Sequence, residues 1–281
     1  MGARWWIAST WSQHLLSYLL NFYLGDRWYA GFLRRHNRLS LKKAQQFPKV
    51  REDARDPNVV YDFYDKLEEC IEEAQLPSEN GSYFVFNCDE TAFNLDPTKT
   101  RAVGVKGEAL HRISGGSGRN NRTVLACVSA AGERFAPLIV YKGQKLLPSW
   151  TSEDAYPGTE YVASTKGWME EIIFYEWLSQ TFIPFVDAVR KKFDCPHQHA
   201  ILIFDGHTSH FSLRILLCAL INKIILLKFP SHLTDLLQPL DKAVFSSLKR
   251  KWDQILVEYG RKNMGLQLMC LTKAKFVALL G

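Results

Sequence analysis

The chain has 281 residues, 47% hydrophobic and 23% charged, enough apolar material for one substantial core and a small extra module. Six cysteines (Cys70, Cys88, Cys127, Cys195, Cys218, Cys270) show no C-x-x-C pair and no regular spacing, which weighs against a zinc site and a secreted disulfide framework and fits a reducing compartment. The net charge of +6 is localised: residues 1–58 hold 10 Lys/Arg against 4 Asp/Glu, and the remainder holds 25 of each, so a polyanion is expected to meet the N-terminal fifth.

Residues 5–24, "WWIASTWSQHLLSYLLNFYL", have about the length of a membrane span. Ser9, Thr10, Ser12, Gln13, His14, Ser17 and Asn21 interrupt the run, and it lacks the order of a signal peptide. It reads as an amphipathic or misplaced helix, and no membrane partner is expected. "DRWYAGFLRRH" (26–36) follows with Trp28, Phe32 and Leu33 on one side and Arg34 and Arg35 in the last turn. A polar, basic stretch punctuated by Pro48 and Pro57 reads as a linker. From Val59 the spacing is helical again, with Val59, Val60, Phe63, Leu67 and Ile71 on one face, ending before Pro77.

The period then changes. "SYFVFNCDETAF" (82–93) predicts a strand running into an acidic turn, and residues 122–143 predict two strands around a tight turn at Ala130–Gly132. Residues 168–193 predict a long helix interrupted near Pro184. A strand over 200–205, a helix over about 212–222, a strand over 223–229 and an amphipathic helix from about Asp241 complete the chain. The order predicts a mixed α/β sheet with helices packed on it.

Three aspartates occupy comparable places. Asp89 ends "YFVFNCDE", Asp205 ends "AILIFDG", and Asp241 follows Pro239 at the start of the last helix. Each alone fits a turn or cap residue. Together, two strand-end acids and one helix-start acid can converge on one point of a sheet. Like charges raise each other's pKa, so three clustered carboxylates need a counter-charge. Hard divalent cations favour oxygen ligands. A pair of them about 4 Å apart suits phosphodiester displacement.

"NCDETAF", "ILIFDGHTSH" and "LLQPLDKAVFSSLKRKW" resemble the three acidic blocks of DDE-superfamily transposases, in particular the mariner-related pogo/Tigger/jerky-type branch. The 35 residues between Asp205 and Asp241 match its DDD spacing, and "GDRWYAGFLRRHNRLSL" is similar to the closing part of a centromere-protein-B-like helix-turn-helix. The resemblance implies an RNase H-like nuclease over 80–281, preceded by a partial helix-turn-helix (1–43), a linker (44–58) and a connecting helix (59–79), with the C-terminal end shortened. It also implies that Asp89, Asp205 and Asp241 hold two Mg²⁺ or Mn²⁺ ions, and that metal-activated water nicks DNA before the freed 3′-hydroxyl attacks a target. DNA, as transposon ends or genomic sites, is the implied partner, the nucleus the implied location, and a homo-oligomer an assembly the family allows. A domesticated or degenerate DNA-binding descendant without activity is the alternative.

Glu90 adjoins Asp89 but points to the other face of a strand, so it is not counted as a ligand. His210 is expected near the site in a structural role, and His207 has no assigned role. An unrelated hydrolase using Asp205 with His210 would instead leave Asp89 and Asp241 remote. Arg34, Arg35, Arg38, Lys42 and Lys43 are the phosphate candidates beside the helix-turn-helix remnant. Lys249, Arg250 and Lys251 suit either backbone phosphates or a solvated helix face. "GGSGRNNR" (115–122) lacks the G-K-[ST] ending of a phosphate loop and reads as a loop or hairpin.

Overall fold

A computed structural model describes residues 26–38, 56–95, 122–205, 211–231, 233–262 and 271–280. The chain divides into two compact units, Met1–Phe47 and Pro48–Gly281. In the first, helix α1 (Asp26–Arg35) places Trp28 and Phe32 one turn apart, their rings stacked with centroids at 5.3 Å. The segments expected at 5–24 and 115–121 lie outside the described residues.

The second unit is built on strands β1 (Val85–Phe93), β2 (Arg122–Ser129), β3 (Leu138–Lys142), β4 (Glu160–Ser164), β5 (Ala200–Phe204) and β6 (Ile224–Lys228). They form one sheet in the order β4-β3-β2-β1-β5-β6. β1, β2 and β3 are antiparallel neighbours, and β5 and β6 run parallel to β1. Its helices lie on both faces, as expected for the RNase H-like class. The turn between β2 and β3 falls where the spacing placed it, with Gly132 at φ +86°, a value that glycine adopts without a Cβ clash.

One face of the sheet is covered by α3 (Glu171–Trp177) and α4 (Ile183–Lys192), joined through a wide π turn at Leu178–Phe182, and by α5 (Leu213–Ile221). The interruption expected near Pro184 is this π turn, and the helix runs on through the proline, which sits in the first turn of α4. Phe84, Phe86, Cys88, Leu202 and Phe204 pack there against Phe174, Trp177, Phe182 and Ile215.

The opposite face carries two separate apolar clusters. In one, helix α2 (Pro57–Ala74) sets Phe63 and Ala74 against Ile201, Ile203, Leu227 and Phe229. In the other, α7 (Ser246–Lys262) and α8 (Lys273–Leu280) set Trp252 and Phe276 against Phe93, Val124 and Ile139. The buried stripe of α2 is Phe63, Leu67, Cys70 and Ala74, while Val59 and Ile71 are exposed. The expected face was therefore rotated by part of a turn. The helix also begins two residues earlier than expected, because Asp56 Oδ1 accepts from the Asn58 amide and Pro57 fits the first turn. β4 was not anticipated, since Tyr161 and Val162 are a short apolar pair with no extended alternation.

Candidate active site

β1 alternates, and its two faces differ in chemistry. Val85, Asn87, Asp89, Thr91 and Phe93 point to the face shared with α2 and α7. Val85 joins the first apolar cluster of that face and Phe93 the second. Between them lies a polar seam in which Asn87, Asp89 and Thr91 are 6%, 8% and 4% exposed. Asp89 therefore occupies the gap between two hydrophobic patches, where water is scarce but packing does not exclude a ligand.

Asp205 lies at the end of β5, near enough for its charge to act on Asp89. The parallel register ends by pairing Asn87 with Ile203, and Asp89 and Asp205 each lie two residues beyond that last pair. Asp205 is half-buried and follows the last residue of β5 directly. Asp241 comes from the third direction. The short helix α6 (Thr234–Leu237) ends at Gln238, and a second π turn (Leu240–Phe245) leads into α7 with Asp241 exposed in its first turn. The Trp252 indole donates to the Asn94 carbonyl at 2.7 Å, which fastens α7 to the end of β1.

The electrostatics of Asp89 register the charges of both other aspartates. Burial pushes its carboxyl from the ordinary 3.8 up to about 7, and the charges of Asp241, Glu90 and Asp205 push in the same direction. The Gln238 carboxamide opposes them from close by. That side chain is fully buried, yet neither its nitrogen nor its oxygen makes a hydrogen bond of good geometry among the described residues, so its effect on Asp89 is one of proximity. Asp89 Oδ1 accepts from the Glu90 amide at 2.9 Å. Glu90 itself turns to the α3 side, where with Asp205, Lys166 and the exposed Trp168 it lines a cavity of about 540 Å³.

The donors suit a hard divalent cation: three carboxylates, and beside them the unpartnered buried atoms of Gln238 and Thr91, which a ligand or its water would satisfy. Among the described residues no three His, Cys, Asp or Glu side chains are drawn onto one ligand point. Arg34 and Arg35 are exposed in the last turn of α1, and Arg38 is exposed just beyond it. Lys249, Arg250 and Lys251 are exposed on α7. His207, His210, Lys42 and Lys43 lie outside the described residues. Sequence reasoning passed over Asn87 and Gln238. The signal for Asn87 was present, as a polar residue inside an apolar strand, two positions before Asp89 and hence on its face.

A family model described as DDE superfamily endonuclease matches residues 119–278. A Cochliobolus lunatus protein described as MFS-type transporter clz9 is 33% identical over 176 residues, 60% of this chain and 18% of its own length. The chain thus spans under a fifth of that relative, and among the described residues no helix is long and apolar enough to cross a membrane. Similar solved structures include a pre-cleavage Mos1 transpososome (10% identity, TM-score 0.49, 89% of this chain and 65% of that one). Another is a Mos1 mariner paired-end complex with Mn (10% identity, TM-score 0.48, 85% and 64%).

Proposed function

The chain belongs to the DDE superfamily endonucleases, and from that premise we propose that it is a metal-dependent DNA endonuclease and strand-transfer enzyme of the transposase kind. Asp89, Asp205 and Asp241 are its catalytic carboxylates. The observation that carries the reading is Asp89, a nearly buried acid on a polar seam, raised to about 7 by burial with two further aspartates adding to the shift. A group so placed is a functional-site candidate, because an acid kept only for stability would be paired with a cation.

The three carboxylates would hold Mg²⁺ or Mn²⁺, which when bound offsets negative charge on a phosphodiester and makes an attacking oxygen more acidic. The chain's own residues set the geometry. Asp89 is fixed in the sheet, with one oxygen already engaged by the Glu90 amide. Asp205 and Asp241 approach from the solvent side, where a DNA backbone has access. Arg34, Arg35 and Arg38, with Lys42 and Lys43, supply phosphate contacts outside the nuclease unit. The motifs around the three acids support a reading as a member of the pogo/Tigger/jerky-type branch that acts in the nucleus on transposon ends or genomic sites, with a homo-oligomer as an assembly open to it.

A nicking assay on supercoiled DNA with Mg²⁺ or Mn²⁺ tests this reading. The chain is expected to nick, and Asp205→Ala to be inactive at equal folded concentration. Identical behaviour of the two contradicts the enzyme reading and leaves a DNA-binding descendant.

A further inference from the structure

The helix carrying Asp241 starts without a local cap. The Lys242 amide donates to the Gln238 carbonyl at 3.2 Å, so Gln238 precedes the first turn, Pro239 opens it and Leu240 follows. Glutamine is not one of the short side chains that cap well, and Pro239 has no N–H to satisfy. The first amide that needs an acceptor is that of Leu240. Its acceptor comes from a different element: the Leu240 amide donates to Asn87 Oδ1 at 3.4 Å.

The other end of that carboxamide is also engaged. Asn87 Nδ2 donates to the Ile203 carbonyl on β5 at 3.0 Å. Asn87 is two residues before Asp89, Ile203 two before Asp205, and Leu240 one before Asp241. One side chain, 6% exposed, therefore touches all three segments that bear the acids.

We propose that Asn87 is the positioning residue of the carboxylate site, capping the Asp241 helix from the neighbouring strand while latching it to the end of β5. The proposal rests on the reading of the three acids given above. The chemistry is specific to a short carboxamide, which offers a donor and an acceptor side by side. A leucine of similar size offers neither, and a serine is too short to reach both partners. Losing the latch leaves the buried Leu240 amide without its acceptor, removes the side-chain bond to β5 and frees the turn that carries Asp241 to shift relative to β1.

The test compares the full chain with Asn87→Leu, Asn87→Ser and a control, Gln198→Leu. The control removes another carboxamide bond, Gln198 Nε2 to the Ala74 carbonyl at 2.7 Å, at the opposite end of β5. Two quantities are read well below the unfolding temperature: hydrogen exchange of the Leu240 amide without metal, and Mn²⁺ affinity by calorimetry. Asn87→Leu is expected to speed exchange and weaken Mn²⁺ binding about tenfold each, and Gln198→Leu to change neither, even with a lowered melting temperature. If Asn87→Leu does not fold, Asn87→Ser carries both readouts with the same expectation. Unchanged Leu240 exchange, or wild-type Mn²⁺ affinity in a folded Asn87 variant, overturns the proposal. If the native chain binds Mn²⁺ no better than Asp89→Asn, the reading of the acids has failed. Faster exchange in Asn87→Leu would then reduce the latch to a structural bond and overturn its positioning role as well.

Discussion

On one face of β1, Phe86 and Cys88 are sealed under α3 and α4, with the Phe86 ring meeting Phe135 and Phe182 edge-on at 5.5 and 5.2 Å. On the other, Asn87, Asp89 and Thr91 are almost as deeply buried and yet polar. Burial is thus not what separates the two faces. The first face spends its burial on dispersion and area removed from water, which stabilise the sheet. The second leaves an acid near neutrality and unpartnered amide and hydroxyl atoms, which destabilise unless something else satisfies them. A strand with one face of each kind can hold an unsatisfied polar site in place, because the opposite face anchors it.

Substitutions can break this division. The largest effect on activity is expected from Asp89→Ala and Asp205→Ala, each lowering metal-dependent nicking by roughly a thousandfold, as loss of one member of a catalytic unit does. Melting temperatures of the two variants should stay near that of the native chain or rise. On the other face Phe86→Ala should do the reverse, lowering stability by about 3–5 kcal/mol in a denaturant titration while the folded fraction keeps its nicking rate.

A smaller effect tests the seam's electrostatics. The folded pKa of Asp89, about 7, lies above its ordinary 3.8, so between those values the folded state holds a proton that the unfolded chain has released. Stability without metal should therefore fall as pH rises from about 4 to 7, by on the order of 1–3 kcal/mol, and level off above. Asp89→Asn should remove that slope. Mn²⁺ affinity should climb over the same range, because the ion competes with the proton.

The smallest expected changes sharpen the comparison. Gln238→Leu replaces a buried, unpartnered carboxamide with an apolar group, and metal-free stability should stay level or rise by ~1 kcal/mol while nicking falls. Glu90→Gln, on the cavity side of β1, should leave nicking within about threefold of native. A loss as large as that of Asp89→Ala would make Glu90 a member of the site.

Much of this arrangement was legible in the residue order. An apolar run ending in an acid, twice, and an acid shortly after Pro239 pointed to β1, to the tip of β5 and to the turn that leads into α7. β1 does not turn at Asp89 as expected but runs on to Phe93, held by its pairing with β2. Period two also separated Glu90 from Asp89. The register of α2 was not legible, because Val59 and Ile71 are as apolar as the buried Phe63 stripe, and only packing on β5 and β6 chooses between them. Nor was the role of Asn87, which depends on Leu240, 153 residues away, and so on tertiary structure alone. Gln238 escaped for the same reason, since nothing beside it in the chain marks it as fully buried.

Calorimetric titration of Mn²⁺ into the native chain and into Asp89→Asn, Asp205→Asn and Asp241→Asn tests the shared site most directly. If the three acids serve the same ions, every single substitution weakens binding by at least tenfold. Native affinity retained in any one of the three, with the fold intact, would show that its carboxylate stands apart and that the seam is not a common metal site.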